Sequence, residues 1–434
     1  MVILPAVGDL DVRQQKGNVM RVCIHRGSKQ IGGSCVEVES CGQRLLVDFG
    51  LPLDAEENNS QYLPKIIGLD GSDPSLLGVL ISHPHLDHFG LLAHISQKIP
   101  VGMGTAARRI LEAAAPFLPG KWITPAKGWN YQSGQSFNIG PFCVTPFLVD
   151  HSAYDAYALQ IESAEKSLFY SGDFRSHGRK ATLFEGLTGN PPQKVDTLLL
   201  EGSSLGRITN SHQFLTEKEI ENQLAHLFSS TEGLAIIHTS GQNIDRIVSI
   251  FRASKRTGRK MIIDLYTAAI LEATGNVNLP QSAWSDVALY VPQAQRIQIK
   301  NNAWFDLLKR HSANRIFIED LQKITKKSTL LFRPLHRFDL ERGECLSGAI
   351  YIYSQWEGYW EQGACDMVKD WLVRHSIPKY SIHTSGHASP SELKKLVLAI
   401  NPRNVVPIHS FFPEKYPELF PNVEAHNDGE WWEV

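Results

Sequence analysis

The alternation of apolar and polar positions near the start of the chain predicts a group of short strands. Three such segments cover Arg21–Ile24, Ser34–Glu39 and Arg44–Asp48. The glycines of QIGG at Gln30–Gly33 supply the tight turn between the first two segments. The pattern therefore predicts a β-meander at the beginning of the fold.

Further along, apolar strands alternate with helical segments, and each strand ends in a cluster of polar residues. The predicted strands are Leu77–Ser82, Val144–Val149, Lys166–Tyr170 and Thr197–Leu200, and Gly90–Gln97 is predicted to be helical. Folds that mix α and β elements place their chemistry at the ends of such strands. The polar residues after these strands are therefore the first candidates for a functional site.

From about Arg207 the sequence pattern changes to alternating helices and strands, which predicts a second domain with a parallel sheet. Thr216 and Glu219 form a T-x-x-E capping box at the start of a helix. The elements that follow alternate between strand and helix, as in βαβ units: helix Glu217–Phe228, strand Leu234–His238, helix Ile244–Arg256 and strand Lys260–Asp264.

From Ser381 the chain returns to strands that end in polar clusters. HTSGHAS leads into a predicted helix at Ser391–Ala399, and the strand Val405–Ile408 ends at His409. The simplest architecture is an α/β (α+β) protein whose first domain is interrupted by an insert. The predicted division is a lead-in at 1–19, the first domain at 20–206 and 381–434, and the inserted domain at 207–380.

Composition agrees with two ordinary globular domains. A chain of 434 residues exceeds the size of a typical single core. The net charge of −2 gives no overall basic field, so any nucleic-acid contact must come from a local groove. Six scattered cysteines without a C-x-x-C pair predict reduced thiols. No secretion signal or membrane span is recognised, which predicts a soluble cytoplasmic protein.

The strongest chemical signal is the heptapeptide SHPHLDH at Ser82–His88. It brings His83, His85, Asp87 and His88 together on one turn after a strand. Imidazoles and a carboxylate at this spacing form a ligand set that suits Zn²⁺ or a similar metal. A polar loop that is rich in histidine by chance is the alternative.

Four more residues have a matching placement at the end of an apolar strand. They are Asp48 in LLVDFG, His151 in VDHS, Asp173 in YSGD and His409 in VPIH. Each alone is more often a cap or turn residue. Together they predict that one edge of a sheet converges on one metal site.

These motifs resemble the metallo-β-lactamase superfamily. The order HPHLDH, DHS, SGD and a terminal strand with His is similar to the metal motifs of that superfamily. The stretches LLLEGSS, SGQNIDRI, HTSGHAS and VVPIHS resemble its β-CASP branch, which includes RNase J and the mRNA 3′-end-processing endonuclease subunit. The resemblance covers the chain from about Arg21 onward. It implies an αββα sandwich with an inserted β-CASP α/β domain.

The resemblance also implies a role for each motif residue. The expected cofactors are two divalent metal ions, Zn²⁺ with Mn²⁺ as the alternative. One ion would be held by His83, His85 and His151, and the other by Asp87, His88 and His409. Asp173 would bridge both ions, and Asp48 would orient a ligand from behind. Asp87, Glu201 and His387 are the expected catalytic residues.

The implied activity is hydrolysis of a phosphodiester in nucleic acid, with RNA preferred. Two metals would activate water for attack on phosphorus. His387 is the candidate general acid, with Glu201 expected to form a hydrogen bond to it. Histidine at position 409 resembles the RNA-processing members more than the DNA-repair nucleases of the branch.

Two loops are candidates for contact with phosphate. The first holds Ser240, Gln242 and Asn243 before a predicted helix, where an ordinary N-cap turn is an equal alternative. The second is the HTSGHAS motif, whose candidates are Ser385, Gly386, Ala388 and Ser389. The aromatic stretch Tyr353–Trp360 could stack bases, but a core strand with a rim is the favoured interpretation.

Other functions remain open at this stage. The same metal motifs could serve a nuclease that acts on DNA or a hydrolase of small molecules, and degenerate relatives act as scaffolds. The presence of every motif ligand disfavours a scaffold, and the large insert disfavours a small substrate. RNA is the expected partner, with single-stranded DNA as the alternative, no membrane, and a monomer or homodimer. The chain is expected to be a bare catalytic core without KH modules or the extra C-terminal domain of bacterial RNase J.

Overall fold

The computed structural model describes residues 19–55, 57–118, 127–363 and 365–434. The predicted lead-in at 1–19 lies outside the described residues, except for its last position. Within the described ranges, no helix has both the length and the apolar character needed to cross a bilayer.

The strands are numbered in chain order. They are β1 (Met20–Arg26), β2 (Cys35–Ser40), β3 (Gln43–Val47), β4 (Leu76–Leu80), β5 (Val101–Gly104), β6 (Lys127–Tyr131), β7 (Phe137–Ile139), β8 (Phe142–Val149), β9 (Ala156–Ser163), β10 (Lys166–Tyr170), β11 (Thr197–Glu201), β12 (Ala235–His238), β13 (Lys260–Ile263), β14 (Val287–Tyr290), β15 (Arg315–Ile316), β16 (Ser328–Phe332), β17 (Ile350–Tyr353), β18 (Lys379–Ser381), β19 (Asn404–Ile408) and β20 (Trp431–Glu433).

The α-helices follow the same convention. They are α1 (Leu86–Phe89), α2 (Thr105–Ala114), α3 (Ala181–Gly189), α4 (Glu217–Ser230), α5 (Ile244–Arg256), α6 (Leu265–Ala273), α7 (Gln293–Asn302), α8 (Phe305–His311), α9 (Ile318–Ile324), α10 (Arg337–Arg342), α11 (Glu357–Glu361), α12 (Asp366–Arg374) and α13 (Pro390–Ile400). Short 3₁₀ helices cover Ser60–Tyr62, Gly90–His94, Ala115–Phe117, Ser312–Asn314, Thr325–Lys327, Pro334–His336 and Pro413–Glu418.

Two mixed sheets pack face to face. The first has the strand order β20-β1-β2-β3-β4-β5-β6, and the second has the order β19-β11-β10-β9-β8-β7. Their inner faces share one apolar core, which joins Val36 and Leu45 of the first sheet to Leu159 and Val406 of the second. Strand β19 comes from the end of the chain and pairs in parallel with β11, so the first domain is discontinuous.

Helices cover the outer faces of this sandwich. Phe184 of α3 and Leu393 of α13 pack on the second sheet, and Phe89 and Leu111 belong to the core on the outer side of the first. Local signals explain where α13 lies. Ser389 and Glu392 form a capping box at its start, with a proline at the first helical position.

The insert contains a third sheet in the order β15-β14-β13-β16-β12-β17-β18. Every pairing in this sheet is parallel, as the βαβ rhythm predicts, and apolar cores lie on both of its faces. Its last strand ends at Ser381, one residue past the predicted boundary. The layers confirm a metallo-β-lactamase-type αββα sandwich with an inserted α/β domain.

Two elements differ from their predictions. The segment predicted as a helix at Gly90–Gln97 is a 3₁₀ helix over Gly90–His94. The aromatic stretch Tyr353–Trp360 is not a core strand throughout, because β17 ends at Tyr353 and the chain turns into the short helix α11. Trp356 and Tyr359 are exposed there. The core interpretation of this stretch was therefore wrong for its second half.

Candidate metal centre

The predicted ligands meet because four strands of the sandwich end at one place. His83, His85, Asp87 and His88 lie on the turn after β4 and in α1, and His151, Asp173 and His409 follow β8, β10 and β19. Their ligand atoms form groups whose members all lie within 4.8 Å of one another. One group is His83, His85 and His151, and another is Asp87, His88 and His409. Two further groups overlap with these, His83 with His88 and Asp173, and Asp173 with His387 and His409. The structure thus brings the candidate ligands together, and their division between two ions stays a prediction.

Asp173 occupies the middle of the cluster. Its Oδ2 atom lies 3.2 Å from Nε2 of His88 and 3.7 Å from Nε2 of both His83 and His409. Nε2 of His151 is 4.0 Å away. One carboxylate oxygen therefore faces both ligand groups, which is the position of a bridging ligand.

Several buried nitrogen and oxygen atoms of this cluster do not form hydrogen bonds with one another, and their chemistry suits a metal ion. Nε2 of His83, His88 and His409 and Oδ1 of Asp173 are buried and have no hydrogen-bond partner within the described ranges. Leaving such an atom unsatisfied costs about 1–3 kcal/mol. Imidazole nitrogens and carboxylate oxygens are also the ligands that Zn²⁺ accepts. The donor set is therefore suited to divalent cations.

Asp48 holds His88 from behind, in the position that the sequence predicts. Its carboxylate accepts hydrogen bonds from Nδ1 of His88 at 2.7 Å, from Ser82 at 2.7 and 2.8 Å, and from the Tyr170 hydroxyl at 2.7 Å. A histidine whose Nδ1–H is held by a carboxylate presents Nε2 to the metal. Sequence reasoning did not single out Ser82 or Tyr170.

Two other imidazoles are oriented by partners that the sequence did not reveal. Nδ1 of His151 donates to the carbonyl oxygen of Gly386 at 2.6 Å. Nδ1 of His409 lies 2.9 Å from Oγ of Ser34. Ser34 stands just after the QIGG turn, whose predicted role was only structural. The turn therefore also supports a ligand.

For His88 and Asp173, the charges inside the cluster shift the pKa in the direction opposite to the effect of burial. Burial lowers the pKa of His83 and His151 well below the ordinary value, and it lowers the pKa of His85 to about 4. Burial also lowers the pKa of His88, but the Asp173 and Asp48 carboxylates outweigh it and raise that pKa well above the ordinary value. Burial raises the pKa of Asp173, but the charges of His409 and His88 outweigh it and lower that pKa.

Glu201 and His387 lie next to the cluster. Nδ1 of His387 is 3.4 Å from Oε2 of Glu201 and 3.7 Å from Oδ2 of Asp173. The predicted hydrogen bond from His387 to the Glu201 carboxylate is absent, because Nδ1 of His387 has no hydrogen-bond partner among the described residues. Glu201 instead accepts from the backbone N–H groups of Ser203 and Ala388 at 3.1 and 3.2 Å. The pair is held by charge rather than by a hydrogen bond.

Two backbone N–H groups of the HTSGHAS loop that were predicted to bind phosphate donate hydrogen bonds to side chains of the protein instead. The Ala388 N–H donates to Glu201, and the Ser389 N–H donates to Glu392. Both residues are buried, so these two amides are not free for phosphate in this arrangement. Ser385 and Gly386 remain partly exposed, and the carbonyl of Gly386 holds His151.

The second candidate loop reaches toward the metal centre. Asn243 forms an isolated bridge with Ala153, two residues after His151. The Asn243 side chain caps α5 by accepting from the Arg246 N–H at 3.1 Å, so the N-cap alternative describes this residue. Gln242 donates to the Tyr266 hydroxyl at 3.0 Å. Ser240 is exposed.

A buried set of ion pairs, here called the arginine junction, joins the insert to the sandwich. It consists of Asp150, Arg175, Glu217, Asp245 and Arg246. Arg175 donates to Asp150 at 3.3 Å and to Asp245 at 2.7 Å. Arg246 donates to Glu217 at 2.9 Å. Arg246 lies within the SGQNIDRI stretch and Arg175 stands two residues after the SGD motif, but sequence reasoning missed both.

The junction also fixes the HTSGHAS loop. Nη1 of Arg175 donates to the carbonyl of Ser385 at 3.0 Å. Burial raises the pKa of Glu217, but Arg246 and Arg175 outweigh it and lower that pKa to about 2. Glu217 therefore stays ionised and paired. The junction positions His387 and Gly386 without touching the cluster.

Two family models match the chain. Residues 29–183 match the metallo-beta-lactamase superfamily, and residues 378–414 match the Zn-dependent metallo-hydrolase RNA specificity domain. The first range contains six of the predicted ligands, and the second contains Glu392, His387 and His409.

Curated relatives align over most of the chain at low identity. Ribonuclease J of Sinorhizobium meliloti is 21% identical over 387 residues, which are 85% of this chain and 64% of that protein. Ribonuclease J of Mycobacterium tuberculosis is 23% identical over 407 residues, which are 90% of this chain and 68% of that protein. The chain thus spans about two thirds of the length of these relatives.

A solved structure shares the fold. A protein of unknown function from Enterococcus faecalis V583 has a TM-score of 0.75 at 21% identity, covering 96% of this chain and 100% of that one. The layers, the motif residues and the two matched models agree. By these matches the chain is similar to the metallo-β-lactamase superfamily over residues 29–183 and to the RNA specificity domain of Zn-dependent metallo-hydrolases over residues 378–414.

Proposed function

We propose that the chain is a metal-dependent phosphodiesterase that hydrolyses single-stranded RNA. The observation that carries the proposal is the convergence of buried imidazole nitrogens and Asp173 on one centre, with Nε2 atoms that have no hydrogen-bond partner among the described residues. The match of residues 378–414 to an RNA specificity domain favours RNA over DNA as the substrate. Similarity to ribonuclease J supports the same choice.

In this proposal the cluster holds two zinc ions. His83, His85 and His151 bind one, Asp87, His88 and His409 bind the other, and Oδ2 of Asp173 lies between the two groups. When bound, a pair of such ions activates water and neutralises charge on a phosphodiester. Asp48, Ser34 and the Gly386 carbonyl orient the imidazoles.

His387 is proposed to supply a proton to the leaving sugar oxygen. Its side chain is 27% exposed, whereas those of His83, His88 and His409 are at most 1% exposed. Because Nδ1 faces Glu201 and Asp173, Nε2 is the nitrogen turned toward the open side. General acids of this kind contribute about 10²–10⁴-fold to a rate.

The proposed substrate contacts come from the two candidate loops, although Gln242 also donates to Tyr266 and the Asn243 side chain also caps α5. Ser385 and Gly386 lie beside His151 and His387, and Ser240, Gln242 and Asn243 approach from the insert. These residues are proposed to contact the phosphodiester backbone. We also propose that the domain boundaries lie at 206/207 and 380/381. The substrate then lies between the sandwich and the insert.

The test is a cleavage assay with the purified protein and Zn²⁺ or Mn²⁺. The substrates are single-stranded RNA labelled at either end, DNA of the same sequence, and a panel of generic esters and lactones. We expect RNA to be cleaved fastest, and the product lengths distinguish internal from terminal cutting. Faster turnover of an ester or lactone than of any oligonucleotide would contradict the proposal, and preferred cleavage of DNA would correct its substrate.

The same assay tests the role of His387. We expect His387→Ala to retain both metals and to slow RNA cleavage by roughly 10²–10⁴-fold. Because Nδ1 of His387 also lies in a potential ligand group with Asp173 and His409, metal content must be measured in parallel. Loss of metal from His387→Ala would make this residue a ligand instead.

A further inference from the structure

Two exposed aromatic side chains, Trp356 and Tyr359, form a pair at α11. They are 38% and 43% exposed, and their ring centroids lie 5.1 Å apart at an interplanar angle of 85°. Trp360 of the same helix turns inward instead, with its ring 5.0 Å from that of Tyr353. The helix therefore divides its aromatic residues between the core and the surface. The exposed two are here called the aromatic pair.

The aromatic pair is held in place by the backbone beneath it. A Cβ atom built at Gly358 would lie 2.3–2.5 Å from three atoms of the Trp356 indole. The indole thus lies directly against Gly358, and a larger residue there would have to displace it. Glu357 forms an ion pair with Lys379, which fastens α11 to the edge of the third sheet. A fixed indole loses little conformational entropy when it receives a ligand.

Arg207 places a positive charge next to the aromatic pair. Its guanidinium carbon lies 5.0 Å from the centroid of the Trp356 ring. Among residues of the described ranges, its one hydrogen-bond acceptor is the Ser203 carbonyl at 3.4 Å, and no carboxylate forms an ion pair with it. A guanidinium held this loosely can turn to a phosphate, which it binds with two parallel N–H groups.

A short chain of contacts connects this surface to the metal centre. Ser203, which accepts from Arg207, donates its N–H to Oε2 of Glu201 at 3.1 Å. Its hydroxyl donates to the carbonyl of His409 at 3.4 Å. Arg207, which lies over the Trp356 ring, is thus joined through Ser203 to Glu201 and His409. The aromatic pair therefore lies next to the loop that follows β11 at the edge of the metal centre.

We propose that Trp356, Tyr359 and Arg207 form a subsite for one unpaired nucleotide next to the cleaved bond. The base stacks on the aromatic pair, and Arg207 contacts the adjacent phosphate. Stacking is available only to unpaired bases and works with any base. The subsite thus selects single strands without reading sequence. This inference rests on the proposed function, because it places the nucleotide beside the proposed cleavage site.

Binding and cleavage are measured separately to test it. Binding of a short fluorescent RNA is followed by anisotropy in chelator, where the protein cannot turn over, and cleavage is followed with Zn²⁺. The variants are Trp356→Leu, Tyr359→Leu and Gly358→Ala, which forces the indole aside, and Trp356→Phe tests rescue. Trp431→Leu is the matched control, because Trp431 is 39% exposed and Arg21 lies over its ring at 5.4 Å.

We expect Trp356→Leu to weaken RNA binding by about 5- to 150-fold. Trp356→Phe and the Trp431→Leu control should stay close to wild type. RNA with one abasic nucleotide should bind the wild type more weakly at one position only. Combining that RNA with Trp356→Leu should cost little more than either change alone, since both remove the same contact.

The outcomes separate this inference from the proposed function. RNA binding within twofold of wild type for both Trp356→Leu and Tyr359→Leu overturns the subsite, whether or not RNA is cleaved. Binding that depends on Trp356 in a protein that cleaves no RNA supports the subsite and contradicts the proposed activity. Absence of both binding and cleavage contradicts both.

Discussion

The metal centre and the arginine junction are both buried, polar and charged, but they differ in whether their buried polar atoms have hydrogen-bond partners. In the junction, Nε, Nη1 and Nη2 of Arg175 and Arg246 all donate to carboxylates, carbonyls or a hydroxyl. In the metal centre, the Nε2 atoms of His83, His88 and His409 have no hydrogen-bond partner among the described residues, although that of His88 lies 3.2 Å from the Asp173 carboxylate. The guanidinium groups of the junction are therefore satisfied by protein acceptors, whereas several buried nitrogen atoms of the metal centre are not satisfied within the described residues.

The difference separates a structural role from a functional one. A buried ion pair contributes to stability mainly because breaking it leaves a charge unpaired. Unpartnered buried ligands instead cost stability until something binds them. Substitutions in the junction should therefore act on folding, and substitutions in the metal centre should act on metal and activity. Four predictions sharpen this contrast.

The largest effect is expected for Asp87→Ala combined with His88→Ala. RNA cleavage should fall by roughly 10³-fold or more, because the metals stabilise transition-state charge by several kcal/mol. Metal content per chain should fall as well, while the free energy of unfolding of the metal-free protein stays close to wild type. The matched control is Asp306→Ala with His226→Ala, two exposed residues elsewhere. Cleavage at the wild-type rate by the Asp87/His88 variant would remove this site from the mechanism.

In the junction, Arg246→Met should lower the free energy of unfolding by about 3–5 kcal/mol, since it removes the nearer cation of the buried Glu217 carboxylate and leaves Arg175, 3.9 Å away, as its ion-pair partner. Adding Glu217→Leu should recover most of the loss. Urea unfolding measures both. The control is Arg256→Met on the same helix. The Arg256 side chain is 47% exposed and pairs at 3.1 Å with Glu221, which Arg179 and Lys218 also hold, so its loss should cost less than about 1 kcal/mol. Equal losses for the two arginine variants would contradict the structural role of the junction.

A smaller effect is expected from Asp48→Asn. Asn tolerates the positive φ of 57° at this position, but it loses the carboxylate that holds Nδ1 of His88. Zinc affinity should fall about 10–100-fold, as measured by competition with a chelator. Asp196→Asn serves as control, because Asp196 holds the Ser167 N–H at 3.0 Å on the far part of the sandwich. An unchanged affinity would show that Asp48 does not tune this ligand.

The smallest effect is a pH dependence from Glu217. The folded pKa of about 2 lies below the ordinary 4.5, so its stabilisation is present above pH 4.5 and is lost as the pH falls toward 2. The difference in unfolding free energy between wild type and Glu217→Gln should shrink by roughly 1 kcal/mol between pH 7 and pH 4. A difference that stays constant or grows on acidification would contradict this account.

The convergence of the candidate ligands could be predicted from the sequence because these residues follow apolar strands. Asp48, His151, Asp173 and His409 all share that placement, but the prediction of a single sheet edge was wrong, since Asp48 follows a strand of the first sheet and the other three follow strands of the second. The capping boxes at Thr216 and Ser389 are equally local signals, and both are present. Short-range rules were sufficient wherever a single strand or helix end determined the position.

The junction and the supporting contacts could not be predicted in this way. Arg175 and Asp245 are far apart in sequence and meet only when the insert docks on the sandwich. Ser34 and Tyr170 sit in an ordinary turn and an ordinary strand, and nothing local marks them as partners of His409 and Asp48. Pairwise contacts between distant segments need the tertiary fold.

The aromatic stretch shows a third case, in which the local pattern was misleading. Tyr353 ends a buried strand, but Trp356 and Tyr359 leave the core because the chain turns at Ser354 into α11. Composition alone did not reveal that turn. The exposure of the two rings became visible only in the fold, and it reversed the interpretation of these residues.

The most direct test of the central claim is the location and number of metal ions in the zinc-loaded protein, measured by anomalous diffraction at the zinc edge. The account predicts two peaks, one among His83, His85 and His151 and one among Asp87, His88 and His409, with Asp173 between them. Metal bound elsewhere on the chain, or a cluster that stays empty at saturating zinc, would contradict it.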